Sequence, residues 1–85
     1  MTDNTMVKKD DIVDCAFLFV ENELASLKKA LENHETTSPV NYRAIAYGAL
    51  QFTIGLFPDQ YDLLAAFWDK KLDEFNALIY PKRGV

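Results

Sequence analysis

The sequence predicts an all-α fold, a small up-down-up three-helix bundle, and leaves open whether homodimerisation completes it. Three observations support this prediction. Apolar residues recur at helical spacing in two long segments, a shorter segment between them carries no charge, and turn-forming residues separate all three. The predicted parts are a flexible tail at 1–8, a single helical domain at 9–80 with helices at about 9–33, 39–56 and 59–80, and a tail at 81–85.

The first helix is predicted from a heptad-like apolar seam. Its members recur at spacings of four and three residues and are Val13, Phe17, Val20, Leu24, Leu27 and Leu31. Asp10 and Asp11 suit the positive N-terminal end of a helix dipole, and Lys29 suits the negative end. We therefore expect this helix to end near Asn33 or His34.

The second helix is predicted to start at Pro39, with Ser38 as its N-cap. Its main feature is the run Ala44–Phe57, which contains no charged residue and is too short for the roughly 20 residues that span a bilayer. A helix that is apolar on all sides is normally buried, so we predict that it lies at the centre of the bundle. Gly48 and Gly55 are expected to let a neighbouring helix approach closely.

The third helix is predicted to follow the break at Pro58, with Asp59 as its N-cap. Pro81 ends it. Its predicted inner stripe consists of Tyr61, Leu64, Trp68, Leu72, Phe75 and Ile79.

The first and third helices carry more apolar surface than one buried seam needs. Two explanations remain open: the additional residues cover the apolar second helix, or they form a protein–protein interface, of which a homodimer is the simplest kind. The candidate interface residues are Ile12, Cys15, Leu18, Phe19, Leu63 and Phe67.

Composition and charge argue against several classes of function for this protein. The chain has 85 residues, of which 49% are apolar, enough for one folded domain. Its net charge of −4 argues against nucleic acid or an anionic membrane as a partner. A single cysteine and a polar N-terminus without a signal-peptide pattern lead us to expect a soluble, cytoplasmic protein.

The residues capable of chemistry form no recognisable motif. His34 is the only histidine, Cys15 has no basic partner nearby in the sequence, and Asp69 and Asp73 lie among lysines on a charged helix face. We therefore expect no catalytic residues, no bound metal and no cofactor, and hence no enzymatic activity.

The expected function is protein–protein interaction, as an adaptor, an inhibitor or a small chaperone. Small acidic helical proteins of this type are frequent among accessory proteins of phages and mobile elements. One alternative is a nucleic-acid-binding regulator with a helix-turn-helix-like pair, although Asp59 and Asp62 at the start of its recognition helix would repel phosphate. The other is a small-ligand-binding bundle that uses the space between Tyr42, Tyr47 and Trp68.

Overall fold

The computed structural model describes residues 9–35 and 38–81, and within them the chain is a bundle of three helices with no strand. This confirms the predicted all-α three-helix fold. The predicted tail at 1–8 and all of the C-terminal tail except Pro81 lie outside the described residues. The elements are α1 (Lys9–Glu32), α2 (Pro39–Leu56), a 3₁₀ turn (Pro58–Gln60) and α3 (Tyr61–Ile79).

Contacts between α1 and α3 show that these two helices run in the same direction. Lys9 Nζ lies 2.7 Å from Asp59 Oδ2 at the beginning of both segments. Further along both chains, Lys71 Nζ lies 3.5 Å from Glu21 Oε2. Because residue numbers increase together along the two helices, α1 and α3 are parallel.

Helix α2 runs antiparallel to α3. Tyr47 and Trp68 have ring centroids 5.2 Å apart, and Arg43, one turn earlier in α2, donates a 2.6 Å hydrogen bond to Asn76, two turns later in α3. Residue numbers therefore increase in opposite directions along this pair. Together with the parallel α1–α3 pair, this establishes the up-down-up arrangement.

The core is built mainly on α1. Among the described residues, α1 supplies six of the ten buried apolar residues, whereas α2 and α3 supply two each. The predicted seam of α1 is confirmed, because four of its members are buried and Phe17 and Leu31 pack against them. The ten buried residues are Val13, Ala16, Val20, Leu24, Leu27, Ala30, Ala46, Leu50, Leu64 and Phe75.

The other helices of the single chain do not cover α2 on all sides, which rules out the explanation that residues of α1 and α3 enclose it completely. Two neighbouring helices contact only one side of α2, so its other side is exposed, including Phe52. The expected close helix contact at Gly48 and Gly55 is also wrong within the chain, because no atom beyond the adjoining backbone of α2 itself lies within 4 Å of where a Cβ would stand at either glycine. A helix with only two neighbours cannot bury apolar residues that encircle it.

The start of α3 also differs from the prediction. Asp59 is the middle residue of the 3₁₀ turn rather than an N-cap, and α3 begins at Tyr61 after Gln60. The Asp59 carboxylate pairs instead with Lys9 of α1, at 2.7 Å. Tyr61, predicted to face inward, is 56% exposed, whereas Leu64 in the same turn is buried.

Polar groups in the core are satisfied. Thr53 is the buried polar residue of α2, and its hydroxyl donates a 2.8 Å hydrogen bond to the carbonyl oxygen of Ala49 one turn earlier. The carbonyl oxygen of Thr53 accepts the N–H of Phe57 at 2.9 Å, which ends the helix. Thr53 therefore adds no unpaired polar atom to the core, where such an atom would cost about 1–3 kcal/mol.

Phe75 is the largest fully buried side chain, so we predict that Phe75→Ala lowers the free energy of unfolding by about 3–5 kcal/mol through lost burial and the cavity it leaves. The measurement is urea denaturation followed by circular dichroism, in dilute protein. Phe52→Ala is the matched control and should change the free energy of unfolding by less than about 0.5 kcal/mol, because Phe52 is exposed. Equal losses in the two variants would contradict this core.

The Lys9–Asp59 pair predicts a pH effect. Hydrogen bonds from Lys9 and Gln60 lower the pKa of Asp59 below its ordinary value, and the Asp59 carboxylate raises the pKa of Lys9. The stabilisation from Asp59 is therefore present above its unfolded-state pKa of about 3.9 and is lost as the pH falls through the folded-state pKa. The stabilisation from Lys9 is present below its unfolded-state pKa of about 10.4 and is lost as the pH rises through its folded-state pKa.

The check is an NMR titration of the Asp59 carboxyl carbon. Lys9→Met should raise the pKa of Asp59 toward the ordinary value, because Lys9 is the larger cause of the shift. Lys28→Met removes an exposed lysine elsewhere on α1 and should leave the Asp59 titration unchanged. An Asp59 pKa that does not respond to Lys9→Met would show that the pair does not form in solution.

Candidate protein-interaction surface

The side of α2 that faces away from α3 is an exposed apolar surface. Tyr47 contacts Trp68 and so marks the side of α2 next to α3. Ile45, two residues earlier, lies roughly 200° round the helix, and Phe52 and Leu56 continue its row one to two turns further on. The exposed fractions of these three residues are 52% for Ile45, 69% for Phe52 and 49% for Leu56.

A row of α1 residues borders this surface. Phe17 contacts Phe67 at 4.2 Å between ring centroids, so it marks the side of α1 next to α3. Phe19 lies roughly 200° round α1 from Phe17, and Cys15 and Ile12 continue its row. Cys15 is exposed, and Ile12 and Phe19 are partly buried. In a three-helix bundle, the sides of α1 and α2 that both turn away from α3 belong to one face.

We call this surface the α1–α2 face. It contains three of the residues predicted as an interface and three residues of α2 that were predicted to be covered. Its members are Ile12, Cys15, Phe19, Ile45, Phe52 and Leu56.

The α1–α2 face carries little charge. The α2 sequence has one charged residue, Arg43, and its contact with Asn76 places it on the side next to α3. On the α1 side, Glu23 follows Phe19 by one turn and is partly buried. The face therefore combines exposed aliphatic and aromatic side chains with few charged groups, so its charge does not favour a partner of either sign.

The other three predicted interface residues lie elsewhere. Leu18 and Leu63 are exposed, at 60% and 52%, outside the α1–α2 face. Phe67 packs against the core, with its ring against Phe17 and Lys71 Nζ 5.7 Å from its centroid. The six predicted residues thus divide between two sides of the bundle, and whether they bind a partner remains a prediction.

Sequence reasoning did not identify Ile45, Phe52 and Leu56 as surface residues. They were assigned to a covered helix because α2 is apolar all round. A signal was nonetheless present, because a chain with three helices provides α2 with only two neighbours. Two neighbours leave about half of a helix uncovered.

A concave surface lies between α2 and α3, separate from the α1–α2 face, and we call it the α2–α3 groove. At one end is a hollow of about 150 Å³ whose lining includes Tyr47, Tyr61, Trp68 and Asp69. A neighbouring, more open hollow of about 340 Å³ is lined by Arg43, Ala44, Tyr47, Trp68 and Leu72. Tyr47 and Trp68 thus line hollows between α2 and α3, whereas Tyr42 packs against the core, and the binding of a small ligand stays a prediction.

The candidate chemical residues are not brought together. Cys15 is exposed on α1, and Asp69 and Asp73 are exposed on α3. Within residues 9–35 and 38–81, no three histidine, cysteine or acidic side chains are placed to hold a metal ion. In the same ranges, no helix combines the length and apolarity needed to cross a bilayer.

His34 has a structural role at the end of α1. Its φ of 55° is the left-handed conformation that commonly ends a helix. The N–H of His34 donates to Leu31 O at 3.2 Å, and the N–H of Glu35 donates to Ala30 O at 2.8 Å. These two bonds are the pair that defines a Schellman motif. The histidine is therefore a helix-ending residue.

Comparisons with known proteins do not assign this surface. No protein-family model matches the chain, and neither the curated proteins nor the solved structures contain a match to it. The function must therefore be argued from the geometry of the α1–α2 face and the α2–α3 groove.

His34→Gly should raise the free energy of unfolding by up to about 1 kcal/mol, because glycine adopts the left-handed conformation without the steric cost that other residues incur. Thermal unfolding followed by circular dichroism measures the change. Asn33→Gly is the matched control and should be destabilising, because Asn33 is not left-handed and glycine adds only backbone entropy there. A loss of stability in His34→Gly would show that the imidazole has a contact that matters more than the backbone.

Proposed function

We propose that this protein is a non-enzymatic interaction module that acts through protein–protein contacts and forms a homodimer through the α1–α2 face. The observation that carries the proposal is the exposure of Ile45, Phe52 and Leu56 in one row of an uncharged helix side. Large contiguous apolar patches on a folded chain typically mark interaction sites.

The chemistry of the face suits a second copy as the occupant. A two-fold axis places the same patch on both partners, so a strongly charged patch would meet its own charge. The α2 side of this face carries no charge, which removes that penalty. The open space above Gly48 and Gly55 additionally lets another helix approach the α2 backbone.

The size of the face is adequate for a dimer. Helix α2 has 18 residues and is about 27 Å long, and two adjacent helices are about 20 Å wide. The face therefore covers roughly 500 Å² in projection, and the accessible area of its side chains is larger. A standard interface buries about 800 Å² on each partner, which is comparable.

The biological role that fits this proposal is that of an adaptor, an inhibitor or a small chaperone. The small acidic helical type also fits an accessory protein of a phage or mobile element, acting in the cytoplasm. Direct nucleic-acid binding is a poorer fit, because Asp59 in the preceding turn and Asp62 in the first turn of α3 lie where a recognition helix would meet phosphate.

The proposal is tested by Phe52→Glu, which places a charge at the most exposed apolar residue of the face. We expect the wild-type chain to be a dimer in size-exclusion chromatography with light scattering at about 100 μM, a concentration well above a micromolar Kd. Phe52→Glu should be monomeric, because the dimer would bury its two new carboxylates. Circular dichroism should show unchanged helicity.

Leu18→Glu is the matched control. Leu18 is a similarly exposed apolar residue, but it lies outside the α1–α2 face, so this variant should remain dimeric. A wild-type chain that is monomeric at this concentration would overturn the homodimer. A dimer disrupted by Leu18→Glu and not by Phe52→Glu would place the interface on the other side of α1.

A further inference from the structure

We propose that the α2–α3 groove binds a basic amphipathic helix of a partner protein. This inference rests on the proposed function in that the protein acts through protein–protein contacts, but it uses a different surface from the α1–α2 face. The groove combines an aromatic floor, successive hollows and one acidic rim, and each of these features matches a property of such a helix.

The floor of the groove is aromatic and firmly held. Trp68 lies between Tyr47 and Phe75, with ring centroids 5.2 Å and 5.9 Å away. Phe75 is fully buried, whereas Tyr47 and Tyr61 are exposed. Tryptophan and tyrosine are the residues that most often supply binding energy at interfaces, because they offer large apolar area with few rotatable bonds.

The hollows are arranged in a line. The hollow of about 150 Å³ and that of about 340 Å³ share Tyr47 and Trp68, so one follows the other along the groove. The smaller hollow extends toward Tyr61 at the start of α3, and the larger one toward Leu72 and Arg43. An amphipathic helix presents apolar side chains at each turn, about 5.4 Å apart, and can insert successive ones into successive hollows.

The acidic residues along the α3 edge of the groove favour a partner helix with basic side chains. Asp69 lines the smaller hollow, and Asp62 and Asp73 lie two turns before and one turn after it on the same edge of α3. All three carboxylates are exposed. The α2 rim opposite is uncharged at Ala44 and Gln51. A lysine or arginine row beside the apolar row of a docked helix would therefore face the carboxylates.

Arg43 is held at the Asp73 end of this acidic rim and leaves the Asp62 and Asp69 part uncompensated. Its guanidinium Nη1 donates a 2.6 Å hydrogen bond to Asn76 Oδ1, and its Cζ lies 5.9 Å from the centroid of the Tyr80 ring. The cation is thus held against α3 at the far end of the groove from Tyr61. There it leaves Asp62 and Asp69 without a neighbouring positive charge from α2.

Both surfaces can be occupied at once. Tyr47 and Ile45 lie on opposite sides of α2, so a helix over Tyr47 does not cover the row that begins at Ile45. The two hollows are lined on α2 by residues from Arg43 to Ile54, so the groove follows about 17 Å of α2, or three turns of a docked helix.

The experiment uses Trp68, the only tryptophan of the chain, as a fluorescent reporter on the groove floor. The probe is an 18-residue synthetic helix with leucine at every third or fourth position and a lysine row along one side. It is titrated into the full chain. We expect saturable binding with a shift of the Trp68 emission maximum.

Two control peptides separate the contributions. The first replaces each lysine with glutamate and should bind about tenfold or more weakly, as expected for the loss of three exposed ion pairs and added repulsion. The second keeps the composition but scrambles the order, so that it retains the charge and loses the apolar face. It should produce no saturable shift. Equal binding of either control would overturn the proposal.

Protein variants locate the site. Asp69→Asn with Asp73→Asn should weaken binding of the lysine peptide several-fold, whereas Asp14→Asn, which removes an exposed carboxylate on α1, should not. Tyr47→Ala should weaken binding while circular dichroism shows an intact fold, because Tyr47 is exposed. Unchanged affinity in Tyr47→Ala and in the double variant would overturn the assignment to this groove.

The outcome is independent of the homodimer test. A monomeric chain that binds the lysine peptide supports the groove and removes the dimer from the proposed function. A dimeric chain that does not bind the peptide overturns the groove and leaves the dimer. If Tyr47→Ala rather than Phe52→Glu converts a dimer to a monomer, the groove holds a second copy and the partner-helix proposal is overturned.

Discussion

The packing of α2 and α3 onto the apolar seam of α1 is the interaction on which the rest of the structure depends. Helix α1 supplies six of the ten buried apolar residues in the described chain, and Leu50, Leu64 and Phe75 close the core against it. The buried residues of α2 and α3 join those of α1 in one cluster, so each of the two helices has one side committed to the core. The remaining sides of α2 and α3 are available for other contacts.

Helix α2 shows the consequence most clearly. It buries Ala46, Leu50 and Thr53, yet its apolar residues continue all round the helix. The side next to α3 forms one wall of the aromatic groove, and the opposite side forms the row of the α1–α2 face. One feature of the sequence, a helix whose single charged residue is Arg43, therefore produces two different surfaces. The acidic residues of α3 border only one of them, which distinguishes a face suited to self-association from a groove suited to a basic partner.

Local sequence signals predicted the fold well where a single interaction decides the outcome. The seam of α1 and the start of α2 at Pro39 follow from helical periodicity and proline geometry, which act within a few residues. The start of α3 was not predicted: Asp59 lies inside the 3₁₀ turn, and its carboxylate pairs with Lys9, fifty positions away. The role of His34 was visible only in the backbone, since its left-handed φ and the two hydrogen bonds of the helix end are conformational facts.

The sequence by itself determined that the chain forms three helices, which residues of α1 face inward, and that α2 is apolar on every side. Only the tertiary structure decided which side of α2 is buried and that Ile45, Phe52 and Leu56 are exposed. It also decided that Tyr47 and Trp68 share a groove with Asp69. The physical reason is that helix periodicity orients side chains relative to one axis, whereas burial depends on which other helices pack against that axis. The sequence of a helix that is apolar all round does not indicate which side is buried, so the positions of the neighbouring helices determine it.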